Sequence, residues 1–328
     1  MRSIRVSKFA PAIAVILAAI FALLAPASGQ AQSWPQRAVK FVVPLGPASG
    51  VDIGARLFAD RLSARWGQPV VIENRPGGDG MVAINAFLGA NDDHTLMFAP
   101  TSSFTAHPFL YDQLSYDARD FVPIARVSNT LIAMAVPASL NVASMNDLAA
   151  LIRAQPGKLN WAGITGAVDL VITGFLRSAN LDIVKVPYRD GVQAVNDLSE
   201  GRVQMYTAAL AISRPHFQAG KVKLIAILNH ERAPTVPEVP TVTEQGYPAL
   251  KLDGLVGVFA VKNMPAELRG KIAADIKAVG ADSAIADRLL VTGQLLRPAG
   301  PDEFAAAIDE QRALVAAAAK GLGLKAAQ

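Results

Sequence analysis

Apolar positions follow two alternating rhythms along the chain: short β-branched runs bounded by Gly, Pro and Ser, and longer stretches with one apolar face at helical spacing. Residues 39–43 predict a buried strand, 44–50 a loop, and 52–65 a helix with Ile53, Leu57 and Leu62 facing inward. Residues 70–72, 76–80 and 81–88 predict the next strand, loop and helix, and 95–99 a third strand running into Pro100-Thr101-Ser102-Ser103. The pattern then restarts. Residues 131–136 predict a strand, Ser144-x-x-Asp147 announces a helix, and Gln155-Pro156-Gly157 ends it. A strand at 159–162, a loop at 163–167 and a helix at 169–179 follow, then strands at 183–186 and 203–206 around a helix at 192–199. Beyond a strand at 223–228 come a Pro-rich excursion, an apolar strand at 255–261, and two helices opened by Pro265 and Pro301. Strands alternating with helices predict parallel sheet, which gathers ligand-binding loops at the carboxyl ends of its strands.

The two restarts predict an α/β protein of two lobes around a cleft. With 328 residues, 52% of them hydrophobic and 18% charged, the chain can bury a large core and does not read as disordered. No Cys is present, which excludes a disulfide scaffold, a thiol nucleophile and an iron–sulfur cluster. Arg2, Arg5 and Lys8 precede an apolar run at residues 9–25 and the small residues Ala27-Ser28-Gly29-Gln30-Ala31, the layout of a secretory signal peptide cleaved near Ala31. That cleavage removes three of the 31 Lys and Arg and none of the 27 Asp and Glu, so residues 32–328 are nearly neutral. No basic cluster with interleaved aromatics remains, and nucleic acid is not expected as a partner.

Catalytic signatures fail one by one. Gly46-Pro47-Ala48-Ser49-Gly50 lacks the spacing of a nucleophile elbow, and no phosphate-binding glycine loop follows a strand. The four His show no metal-binding spacing, Asp92-Asp93-His94 reads as a solvated turn, and Arg189 with Asp190 as a turn held by an ion pair. No catalytic residue, metal or cofactor is expected. What the chain does supply is a set of Gly-, Ser- and Thr-rich loops at 47–50, 77–80, 101–103 and 163–166, each preceding a helix. Free N–H groups at a helix start carry partial positive charge, so loops of this kind can hold a carboxylate without Lys or Arg. Asp52 suits a helix start, with Arg56 at i+4 to pair with it.

The residues resemble the periplasmic solute-binding proteins of tripartite tricarboxylate transporters, the Bug or TctC-like receptors. The matching stretches are Trp34-Pro35-x-Arg37, Val42-Val43-Pro44, Pro47-x-x-Gly50-x-Asp52-x-x-Ala55-Arg56 and Val71-Ile72-Glu73-Asn74-Arg75-Pro76-Gly77. They continue with Pro156-Gly157-Lys158-Leu159-Asn160, Val186-Pro187-Tyr188-Arg189 and Val236-Pro237-Glu238-Val239-Pro240-Thr241-Val242-x-Glu244-x-Gly246. The resemblance implies a two-lobe type II periplasmic-binding-protein fold, with lobe 1 at 32–133 plus 256–328 and lobe 2 at 134–255. It implies a small carboxylate as ligand, permease subunits as partners, a monomer, the periplasm and no enzyme activity. First-lobe contacts carried over are Gly46, Pro47, Ala48, Ser49, Gly50, Asp52, Gly78, Asp79, Thr101, Ser102 and Ser103. Second-lobe contacts are Thr165, Gly166, Ala167, Val168, Tyr188, Arg189, Asp190 and Thr207.

Departures from the family pattern carry information. Its Pro-Gly-Gly is Pro47-Ala48-Ser49 here, and its G-x-G-S-x-x-H is Thr165-Gly166-Ala167-Val168-Asp169-Leu170-Val171. Loss of that Ser and His predicts a longer or more apolar acid. A carboxylate receptor serving a sensor kinase is an alternative, as is a hydrolase or isomerase of small acids, for which nucleophile and base are missing.

Overall fold

The structure, a computed structural model, describes residues 34–327; the expected signal peptide and its cleavage point lie outside them. The chain first lays down β1 (Val39–Val43), β2 (Val70–Asn74), β3 (Thr95–Pro100) and β4 (Phe121–Thr130), then β5 (Ile132–Pro137), β6 (Asn160–Gly163), β7 (Val184–Pro187), β8 (Met205–Ala209) and β9 (Val222–Ile227). It returns with β10 (Gly254–Val261) and β11 (Gln294–Ala299). Two sheets result, ordered β11-β4-β10-β3-β1-β2 and β7-β6-β8-β5-β9. Parallel pairing is confined to β1 with β2 and β3, and β6 with β7 and β8. Strands β10, β11 and β5 run antiparallel to their neighbours, which corrects the expectation of parallel sheet. The chain crosses to the second sheet through Leu131 alone, between Thr130 of β4 and Ile132 of β5, and comes back through residues 228–253.

The helices are α1 (Gly50–Trp66), α2 (Met81–Ala90), α3 (Ser102–Leu110), α4 (Met145–Ala154), α5 (Ala167–Ser178), α6 (Gly191–Ser199), α7 (Leu210–Gln218), α8 (Ala266–Val279), α9 (Ser283–Val291) and α10 (Pro301–Gly321). Among the described residues none is long and apolar enough to cross a membrane. The Ser144 signal is realised: its hydroxyl accepts from Asp147 N at 3.1 Å and starts α4. Strands β4 and β11 and helices α7 and α9 escape the sequence pattern. Pro123 inside β4 and Pro298 inside β11 remove ladder donors, and β4 accommodates this with register shifts against β10.

An aromatic cluster fills one face of the first sheet. Phe104 lies edge-on to Phe121 and Phe259 at 5.1 Å, and Phe259 meets Phe304 of α10 at 5.2 Å. Gly257 makes room there, since a Cβ on it would overlap the Phe304 ring. Further along α10, Val315 joins the core under α5, where Gly174 lets Ala318 approach to 3.0 Å of where its Cβ would stand. The alanine-rich tail is thus a helix that covers both cores, its small side chains setting a close approach to α5.

Candidate functional site

The loops foreseen from sequence all follow strands and open helices, but the structure divides them by what already satisfies their helix starts. In the β1–α1 loop Ser49 caps α1, its Oγ accepting from Asp52 N at 3.2 Å, and Ala48 sits at φ 65°. Asp52 is buried. Its Oδ2 accepts from Ala48 N at 2.9 Å and from Arg56 Nε at 3.0 Å, and its Oδ1 from Asn74 Nδ2 at 2.8 Å. Burial pushes its carboxyl up, but these donors, Arg56 foremost, outweigh burial and hold it below the usual carboxylate range. The charge is spent bracing the loop. Pro47 is exposed, Gly46 stands in open space, and Gly50 lies against Thr292 and Gln294.

The β2–α2 loop runs through four consecutive residues at positive φ: Gly77 at 124°, Gly78 at 55°, Asp79 at 54° and Gly80 at 96°. Three glycines adopt this backbone freely, whereas Asp79 needs support. His107 supplies it from α3, where it is fully buried, its Nε2 donating to the Asp79 carbonyl at 3.0 Å. A carbonyl only accepts, so Nε2 carries a proton, and Nδ1 is hydrogen-bonded to the Tyr116 hydroxyl at 2.7 Å. His107 was not foreseen, because its partners are 28 and 9 residues away with no local spacing signal. A Cβ on Gly80 would lie 3.4 Å from Ser103 Oγ and 3.5 Å from Pro44, so the three first-sheet loops meet at this point.

Helix α3 has no side-chain cap. Thr101 is buried with its hydroxyl turned inward, donating to Gln311 Oε1 at 2.6 Å, while Ser102 and Ser103 are partly exposed. Around the second sheet α5 likewise starts without a side-chain cap, at Gly166. Thr165 is exposed and Val168 half-buried, but Ala167, Leu170 and Val171 are buried in the core. Asp169 is buried with Oδ2 on Lys185 Nζ at 2.6 Å and Oδ1 without a partner. Burial pushes its carboxyl up against the opposing Lys185 ammonium.

Helix α6, by contrast, is capped. Asp190 accepts from Val192 N at 2.6 Å and Gln193 N at 3.1 Å, which corrects the expected ion pair with Arg189; Arg189 is exposed. Tyr188 donates its hydroxyl to Asp197 at 2.6 Å. Within β8, and not at the strand end expected for Thr207, Thr207 Oγ1 and Tyr206 OH are buried without partners. The Asp92-Asp93-His94 turn is built on Asp92, whose carboxylate accepts from His94 N and Thr95 N. Among the described residues no three His, Cys, Asp or Glu side chains could hold a metal ion.

The arrangement is suited to binding an anion by dipoles. Of the helices that open from these loops, α2, α3 and α5 start without a side-chain cap, and α3 beside the first sheet and α5 beside the second have hydroxyls of Ser102, Ser103 and Thr165 close by in sequence. Residues 54–305 match the tripartite tricarboxylate transporter family receptor. A UPF0065 protein of Bordetella bronchiseptica is 30% identical over 300 residues, covering 91% of this chain and 89% of its own. A Rhodopseudomonas palustris protein solved with adipate superposes with a TM-score of 0.77 at 27% identity, covering 89% of this chain and 99% of its own. MatC of the same organism, solved with bound malate, gives 0.71 at 27% identity over 86% and 100%.

Proposed function

The chain belongs to the tripartite tricarboxylate transporter receptor family, whose members are periplasmic binding proteins and not enzymes, and on that premise we propose that it captures a small organic di- or tricarboxylate and delivers it to the permease of such a transporter. The observation that carries this reading is that, of the three uncapped helix starts on these loops, one beside each sheet lies on a hydroxyl-bearing loop. The adipate- and malate-bound relatives support a carboxylate as the ligand class.

The lobes proposed at residues 32–133 with 256–328 and at 134–255 each hold one sheet, apart from the first two residues of β5 and of β10, which fall across the bounds. Ligand touching both would favour a closed arrangement, because only there are all donors satisfied. With Ala167, Leu170 and Val171 committed to the core, the second-sheet loop offers little beyond backbone amides and Thr165. That favours an acid with an apolar spacer between its carboxylates. The signal peptide directs the chain to the periplasm, and N-terminal sequencing of the exported protein should begin near Gln32.

Thermal melting against di- and tricarboxylates, longer aliphatic diacids, aromatic acids and acidic amino acids tests the reading. A ligand at about 100 times its Kd adds about 2.7 kcal/mol and raises Tm by several degrees. No shift with any acid, together with turnover of one of them, overturns it.

A further inference from the structure

Gln311 sits midway along α10, where the helix passes from the aromatic core of the first sheet, through Phe304 and Ile308, to the core under α5, through Val315. It is buried, and every hydrogen bond its side chain makes leaves the helix. Its Oε1 accepts from Thr101 Oγ1 at 2.6 Å and Thr105 Oγ1 at 3.0 Å, and its Nε2 donates to the Asp253 carbonyl at 2.9 Å. Because that carbonyl only accepts, the amide fits one way round. Thr101 and Thr105 belong to the start of α3, and Asp253 to the returning crossing. The same Asp253 accepts through Oδ1 from Asn229 Nδ2 at 3.1 Å, and Asn229 in turn bonds Thr130 O at 3.0 Å and Ile132 N at 2.7 Å. One continuous set of hydrogen bonds therefore runs from the start of α3 to both crossings between the sheets.

A buried amide is costly unless bonded, and a leucine here would leave the Thr101 and Thr105 hydroxyls and the Asp253 carbonyl without this partner. We propose that Gln311 is a positioning residue for ligand capture: it fixes the aim of the first α3 amides relative to the two crossings. The proposal rests on the carboxylate reading above, since it is the α3 start that Gln311 orients. It touches no ligand itself.

Gln311→Glu separates positioning from packing. A protonated glutamic acid donates its O–H to Asp253 and accepts both threonine hydroxyls through its C=O, as the amide does. An ionised one loses the donor and sets an oxygen against a carbonyl. Calorimetric titration of the whole exported chain with adipate and with malate, from pH 5 to 8, should show Gln311→Glu near wild type at the acid end and at least about tenfold weaker at the alkaline end. Gln311→Leu should be about tenfold weaker throughout. Amide hydrogen exchange on unliganded protein should show the first turn of α3 opening faster in Gln311→Leu, with β1 unchanged. Equal affinities and equal exchange in wild type and both variants overturn the proposal, as does a Gln311→Glu profile parallel to wild type at every pH. A wild type silent toward every acid overturns the carboxylate reading, and the exchange measurement then decides the positioning of α3 by itself.

Discussion

Asn229 accepts the Ile132 N–H on its side-chain oxygen at 2.7 Å, immediately after Leu131, the one-residue crossing from the first sheet to the second. Its Nδ2 spans the link to Thr130 O on the other side, and the residue is buried. One side chain thereby bonds both ends of a connection too short to bond itself. Asn229→Leu leaves an amide and a carbonyl without partners in a dry setting, and should lower stability by roughly 1–3 kcal/mol, read as a lower urea midpoint. An unchanged midpoint would mean that water replaces the asparagine.

Two glycines in regular structure should respond oppositely to alanine. At Gly257 in β10 the added Cβ would overlap the Phe304 ring and stand 2.5 Å from Ala125 O, so Gly257→Ala should cost roughly 1–3 kcal/mol through overpacking. At Gly89 in α2 nothing lies within 4 Å of the added atom, and Gly89→Ala should gain about 0.5–1 kcal/mol from helix propensity. Parallel thermal melts decide both.

Two buried aspartates should pull the pH profile in opposite directions. Burial raises Asp275, but Arg65 Nε at 2.5 Å and Trp66 Nε1 at 2.8 Å outweigh it and hold the carboxyl below its ordinary value. Its contribution is present above the unfolded carboxyl's pKa and lost as pH falls through the folded one. Asp169 is raised by burial, so its contribution is present below the unfolded pKa and lost as pH rises through the folded one. Asp275→Asn should therefore flatten the acid loss of Tm, and Asp169→Asn should remove a decline on the neutral side. The same sign for both would refute the assignment.

Ser102 opens α3 and is partly exposed. Ser102→Trp should abolish the acid-induced rise in Tm while leaving the unliganded Tm within a few degrees, because surface substitutions usually stay within about 0.5 kcal/mol. Retained binding would move the site away from this helix start.

Much of this fold is legible in the sequence wherever a unit carries its own local signals. Ser144, Pro301 and the glycines of residues 77–80 act within a few residues of themselves, and the elements they announce stand where expected. Strand β4 is obscured by Pro123, and nothing local says that β10 inserts between β3 and β4, because that pairing joins segments more than a hundred residues apart. The same divide runs through the site. Its loops show in their Gly, Ser and Thr content, but Ser49, expected as a ligand contact, caps α1, and Asp190, expected to pair with Arg189, caps α6. His107 and Gln311 act on partners brought to them by the fold alone, and no periodicity could have singled them out.

Helix α10 ties the completion of two cores to one element. Phe259 on one sheet packs against Phe304, and Gly174 of α5 beside the other packs against Ala318, so part of the cover of both cores comes from residues 301–321. A chain in which this helix is undocked leaves apolar surface uncovered beside both sheets at once.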